Sequence, residues 1–148
     1  MSIKILIVDD DEWTRKIVDT LFLTRGYRVL QASNGEEGLE IALTSTPDII
    51  ISDVVMPRMN GWTFLKHLRS MSQFDLLPFF FLTSLDSAKA RMQGFHLGAD
   101  DYLTKPVIPE ELDLRVERAL QRIVDMRFSI QPQVEPVQQM SREGSGLQ

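Results

Sequence analysis

Cysteine is absent from all 148 residues, which excludes disulfides and thiolate metal sites and makes the cytosol the simplest home. Histidine occurs only at His67 and His96, each on a helical pattern with no second ligand at metal spacing. Both read as surface or half-buried side chains. Basic excess is missing too: the net charge of −5 argues against direct nucleic-acid binding by this segment. Long apolar runs are lacking. The greasiest stretch, Phe79 to Leu82, falls far short of the roughly 20 residues of a membrane span, and the opening MSIKILIVDDD reaches acids too soon for a signal peptide. There is no internal repeat and no Gly-rich nucleotide loop of the P-loop kind. What remains is ordinary globular material, 43% hydrophobic, of a length that fits one domain plus an appendage.

Short apolar runs alternate with longer helical patterns. Ile3 to Val8, Ile49 to Ile51 and Phe79 to Leu82 are nearly all apolar, as expected of strands covered on both faces. Tyr27 to Ala32 alternates more and reads as an edge strand, and Tyr102 to Thr104 as a short last one. Between them, helical spacing predicts helices over 12–25 (Trp13, Ile17, Val18, Leu21, Phe22, with Gly26 as the stop), 35–45 (Leu39, Ala42, Leu43), 61–70 (Trp62, Leu65, Leu68) and 87–97 (Ala88, Met92, Phe95). Trp13 and Trp62 fall on apolar faces and read as core or near-core. Asn34-Gly35 and Gly98 to Asp101 read as turns. Pro109-Glu110-Glu111 opens a last helix, with acids at the positive dipole end. The order is (βα) repeated five times, an α/β class with a doubly wound five-stranded parallel sheet and helices on both faces. Ligands in such sheets gather at the carboxyl ends of the strands.

Five polar positions fall at those ends: Asp9 and Asp10 after the first run, Asp53 after the third strand, Thr83 after the fourth and Lys105 after the fifth. Adjacent acids from Asp9 to Glu12 repel one another unless a cation or solvent relieves them, although acids also suit a solvated helix start. Beside a carboxylate from another strand end the metal reading gains, and Mg²⁺ takes oxygen ligands of this kind. Asp53 lies between apolar residues, where an aspartate is uncommon unless paired, functional or capping a turn. Carboxylates can serve as phosphoryl acceptors. Thr83 could bond a phosphoryl oxygen or simply cap the next helix, a role Asp86 or Ser87 could equally fill. Lys105 precedes Pro106, so it is extended or turned rather than helical, and its ammonium suits phosphate as a point charge; most lysines are simply solvated. The Lys105–Pro106 bond can also be cis. Taken as an ordered set, these are the parts needed to place a phosphoryl group on an aspartate.

With these residues laid out, the chain resembles the receiver domain of two-component response regulators over about residues 3–125. The resemblance rests on ILIVDDD, IIISDVVMPRMNGW, FFFLTS and GADDYLTKP at their spacing. It implies a flavodoxin-like strand order 2-1-3-4-5 and a cytoplasmic, bacterial phosphoprotein that signals rather than acting as an enzyme. Asp53 would be the phosphoacceptor. Asp10 would bind Mg²⁺ directly, Asp9 mainly through water, and the backbone carbonyl of Val55 would complete the ligands together with Asp53. Thr83 and Lys105 would contact the phosphoryl group. Tyr102 matches the family's switch aromatic, which turns inward when Thr83 moves toward the phosphate; Asp11 is an extra acid without a family role. The implied partners are a sensor histidine kinase or phosphotransfer protein, a C-terminal effector domain, and a second copy through the surface of the fourth helix, fifth strand and fifth helix. Val55 and Leu85, which flank the path of hydrolytic water in the family, are apolar here and imply a long-lived phosphoryl group.

Two other readings stay open at this stage. A haloacid-dehalogenase-type phosphatase also uses an aspartate nucleophile, a hydroxyl, a lysine and a late acid pair, but it places the lysine before that pair, whereas Asp100-Asp101 precede Lys105. A degenerate receiver would serve only for docking. Residues 1–127 read as the receiver unit. Residues 128–148, with Pro132, Pro136 and several glutamines, read as a flexible tail or linker leading to an output domain outside this sequence.

Overall fold

The computed structural model describes the backbone of residues 2–134 and the side chains of residues 2–126. Five strands alternate with five helices: β1 (Lys4–Val8), α1 (Glu12–Leu23), β2 (Arg28–Ala32), α2 (Gly35–Ser45), β3 (Ile49–Ser52), α3 (Gly61–Arg69), β4 (Phe79–Thr83), α4 (Ala88–His96), β5 (Asp101–Thr104) and α5 (Pro109–Val134). The strands pair parallel in the order β2-β1-β3-β4-β5, the flavodoxin-like order expected. Strand alternation sorts the side chains to two faces. Leu6, Val8, Ile50, Phe79, Phe81 and Tyr102 join Ala42, Phe64, Leu65 and Leu68 of α2 and α3 in one cluster. The alternate positions Ile5, Ile7, Ile49, Ile51, Phe80 and Leu82 are equally buried, as are Val18 and Phe22 of α1 and Leu112 and Val116 of α5. Contacts divide the chain into Met1–Val116, which holds the sheet, and Glu117–Gln148, which holds the rest of α5.

Caps fix the helix starts. Asp11, Asn34, Asn60 and Ser87 each accept a backbone N–H of the following turn, so the cap of α4 is Ser87 rather than Thr83. Glu37, whose N–H Asn34 caps, in turn accepts the N–H of Ser33, the residue before the cap, at 2.7 Å. Gly26 follows α1 with φ +79°, a left-handed stop.

Three expectations change. Trp13 is 67% exposed, because α1 turns Thr14, Val18 and Phe22 inward instead. In α4, Met92 and Phe95 face outward and Gly94 is the buried residue. Asp101 belongs to β5 rather than to the preceding turn, and a 3-10 turn at Ser72–Phe74 precedes β4. The backbone of α5 continues through Val134. The remainder of the expected tail, 135–148, lies outside the described residues. Among the described residues no helix is long and apolar enough to cross a membrane.

Candidate functional site

The pocket is built from chain that has just left the sheet. Asp9 N–H donates to the Ala32 carbonyl at 3.0 Å, Asp53 N–H to the Val8 carbonyl at 2.9 Å, and Lys105 N–H to the Thr83 carbonyl at 2.9 Å. Each bond extends the ladder by one residue and fixes where the next side chain emerges. Asp9 and Asp53 follow β1 and β3, the pair at which the strand order reverses.

Carboxylate oxygens of Asp9, Asp10 and Asp53 lie within 4.8 Å of one another; Asp10 is exposed, the other two buried. Asp9 Oδ1 accepts the Asp11 N–H at 2.9 Å. Asp9 Oδ2 lies 2.9 Å from Lys105 Nζ, close enough to pair charges, yet it is buried without a partner in hydrogen-bond geometry. The hydrogen bond from Lys105 Nζ goes to Asp53 Oδ2, at 2.9 Å, while Asp53 Oδ1 accepts the Val54 N–H at 2.6 Å. Burial, the largest influence, holds the Asp9 carboxyl above its ordinary 3.8; the Asp11 N–H and Lys105 offset this in part and the Asp53 charge adds to it. Burial also opposes the charge on Lys105, but Asp9 and Asp53 outweigh it, and the ammonium is held above its ordinary 10.5. An orphaned buried carboxylate oxygen beside two further carboxylates fits a hard divalent cation such as Mg²⁺.

Asp11 stands apart from this set. Its carboxylate accepts the Thr14 hydroxyl at 2.8 Å and the Trp13 N–H at 3.1 Å, which hold its pKa below 3.8. It is the cap of α1. Val55 lies exposed in the loop after β3. That loop is tied down on both sides: Gly61 N–H donates to the Val54 carbonyl at 2.7 Å, and Gly35 N–H to the Met59 carbonyl at 3.0 Å. A Cβ at Gly61 would overlap the Asp53 carbonyl oxygen, so α3 can begin here only with glycine.

Thr83 is buried at the end of β4, and its hydroxyl oxygen accepts the Leu85 N–H at 3.3 Å. Tyr102 is 4% exposed and its hydroxyl donates to the Leu85 carbonyl at 2.7 Å. The Lys105–Pro106 peptide is cis. Sequence reasoning passed over Arg15, whose guanidinium donates to the Asp9 carbonyl at 2.7 Å and to Gln31 Oε1 at 3.2 Å. Its place in the first turn after the acids was the only signal, and surface arginines are common there. His67 and His96 are both exposed, as read.

Fold and pocket together define a flavodoxin-like α/β domain with an acidic cluster and a lysine at the carboxyl ends of its strands. The chain belongs to the response regulator receiver domain family, whose model matches residues 5–117. Among curated proteins it is 40% identical over 128 residues to the probable transcriptional regulator ycf27 of Cyanidium caldarium, covering 86% of this chain and 50% of that protein. It is 41% identical over 122 residues to the alkaline phosphatase synthesis transcriptional regulatory protein PhoP of Bacillus subtilis (strain 168), covering 82% and 50%. The chain thus spans about half the length of these relatives. Among solved structures, a putative response regulator from Chloroflexus aurantiacus J-10-fl superimposes with TM-score 0.78 at 36% identity, covering 82% of this chain and 99% of that one. The chemotaxis protein CheY4 of Vibrio cholerae gives 0.76 at 37% identity, covering 80% and 99%. The chain is therefore a receiver domain of two-component systems, a kind of domain that generally signals rather than turns over substrate.

Proposed function

We propose that Asp53 accepts a phosphoryl group from a phosphohistidine on a sensor histidine kinase or phosphotransfer protein in the cytoplasm. The observation that carries this reading is Lys105 Nζ standing 2.9 Å from both Asp9 and Asp53, beside three carboxylates whose oxygens lie within 4.8 Å. Asp53 attacks phosphorus in line; the P–N bond breaks and its electron pair stays on the imidazole. Mg²⁺, held by Asp9, Asp10, Asp53 and the Val55 carbonyl, would supply positive charge opposite the transferring oxygens. Lys105 leaves its ion pair to neutralise the remaining equatorial charge, and the Thr83 hydroxyl donates to a phosphoryl oxygen. The added charge of about −1.5 to −2 then biases the surface of α4, β5 and α5 through Leu85 and Tyr102.

That surface has an apolar centre, with Met92 71% and Phe95 48% exposed, and a charged margin in which Arg115 pairs with Asp101 and Glu111. An apolar core with a polar rim suits association, and homodimerisation is the use proposed for it. The relatives are named transcriptional regulators and are about twice as long, which supports control of transcription through a C-terminal effector domain.

Intact mass after acetyl phosphate with Mg²⁺ tests the reading. The wild type gains one phosphoryl group and Asp53→Asn gains none. Steady hydrolysis of p-nitrophenyl phosphate would instead favour a phosphatase, and no response to acetyl phosphate or beryllofluoride would leave a docking module.

A further inference from the structure

α4 is built against its own sequence pattern. Its large apolar residues, Met92 and Phe95, face outward, and the one buried residue of the helix is Gly94. Glycine inside a helix costs stability relative to alanine, so its place there asks for a reason. Tyr102 supplies it. A Cβ at position 94 would lie 2.9 Å from Tyr102 Cδ2, 3.1 Å from Cε2 and 3.3 Å from Phe81 Cδ2. None of these atoms is the free end of a flexible chain.

The ring cannot easily yield. Its hydroxyl is bonded to the Leu85 carbonyl, and the Arg91 guanidinium sits 5.3 Å above the ring while also donating to the Tyr102 carbonyl at 3.3 Å. Phe81 and Phe95 flank it at 5.9 and 6.4 Å. Phe81 is wedged in turn between Trp62 and Phe79, each at 5.0 Å. Leu85 links this arrangement to the site, because its N–H reaches the Thr83 hydroxyl and its carbonyl receives the Tyr102 hydroxyl.

We propose that Gly94 is a positioning residue: it is the notch in α4 that gives the Tyr102 ring room to lie inward against Phe81 and the Leu85 carbonyl. The proposal rests on the reading of Tyr102 as the switch aromatic and deepens it. Any side chain at 94 pushes the ring toward solvent, breaks its bond to Leu85, and leaves the return inward to be driven by the phosphoryl group through Thr83. The residue at 94 thereby sets how readily the ring lies inward without touching the phosphoryl pocket.

Two tyrosines make this testable by ¹⁹F NMR of 3-fluorotyrosine-labelled protein, with Tyr27→Phe leaving Tyr102 as the single reporter. In that background the ¹⁹F line is expected at a buried position with little solvent isotope shift. With Gly94→Ala it moves toward the position of free fluorotyrosine and gains a D₂O shift, and beryllofluoride with Mg²⁺ returns it. A thermal double-mutant cycle separates notch from helix: Gly94→Ala lowers the melting temperature when Tyr102 is present and raises it when Tyr102 is alanine. An unmoved line, with a raised melting temperature in both backgrounds, overturns the proposal. A line that moves but is not returned by beryllofluoride upholds the notch and shows that the added Cβ excludes the ring with or without the activator.

Discussion

Asp9 carries a charge in a place that opposes it, and this conflict makes a measurable prediction. A carboxyl whose folded pKa is raised contributes stability below its ordinary 3.8, and that contribution is lost as pH rises through the folded value. Above its folded value the ionised Asp9 therefore weakens the fold, whereas Lys105, raised above 10.5, stabilises it until the pH climbs through its own folded value. Asp9→Asn keeps an oxygen for the Asp11 N–H and removes the buried charge, while Lys105 keeps its bond to Asp53. In chelator-treated protein it should raise stability at neutral pH by about 1 kcal/mol, read as a higher thermal midpoint. Added Mg²⁺ should raise the midpoint of the wild type more than that of the variant; a variant less stable than wild type in chelator would show that the charge is adequately paired. Val55 and Leu85 make a second case. Both are partly exposed, at 63% and 38%, and neither side chain can orient a water. Val55→Asn with Leu85→Glu should speed loss of the phosphoryl group about tenfold, the scale of 1.4 kcal/mol in a barrier. An unchanged decay of radiolabelled protein would refute the idea that these side chains govern its lifetime.

Among the elements, α2 ends on Thr46 at φ 46° and ψ 69°, a left-handed conformation that a β-branched residue adopts at a cost. The side chain is exposed and bonds only its neighbour's carbonyl, Ser45, at 2.8 Å. Thr46→Gly should therefore stabilise the protein by about 1 kcal/mol in urea unfolding, with unchanged phosphorylation; a loss of stability would mean that the conformation is not strained. This end was legible only as far as Thr46-Pro47, because a sequence signals where a helix stops more readily than the backbone angles it stops with. Strands were the clearest elements: Ile49 to Ile51 and Phe79 to Phe81 are buried on both faces, so their composition has one reading. α1 and α4 were less legible, since helical spacing identifies an apolar stripe but not which way it faces. Trp13 and Met92 lie outward because Thr14 and Gly94 fit the inner surface better, and that fit depends on side chains far away in the sequence.

At the scale of the molecule, the pocket was legible because a parallel sheet brings its strand ends together: residues separated by 44 positions between Asp9 and Asp53 emerge from adjacent strands. The supports of that pocket were not, since the groups that Arg15 meets on Asp9 and that Leu85 offers to Thr83 and Tyr102 are backbone atoms, which carry no residue signature. The outer surface is the remaining question, and charge and exposure frame it. Asp101, Glu111 and Arg115 are paired within the chain, so a partner would gain little by re-pairing them at the rim. Met92, the most exposed apolar side chain of α4, would gain most from cover. Light scattering should therefore give a monomer in the resting protein and a dimer with beryllofluoride and Mg²⁺. Met92→Glu should keep the monomer in both conditions while its phosphorylation by acetyl phosphate stays at the wild-type rate. A beryllofluoride complex that remains monomeric in the wild type would assign this face to a different partner, and a Met92→Glu variant that still dimerises would move the interface away from α4.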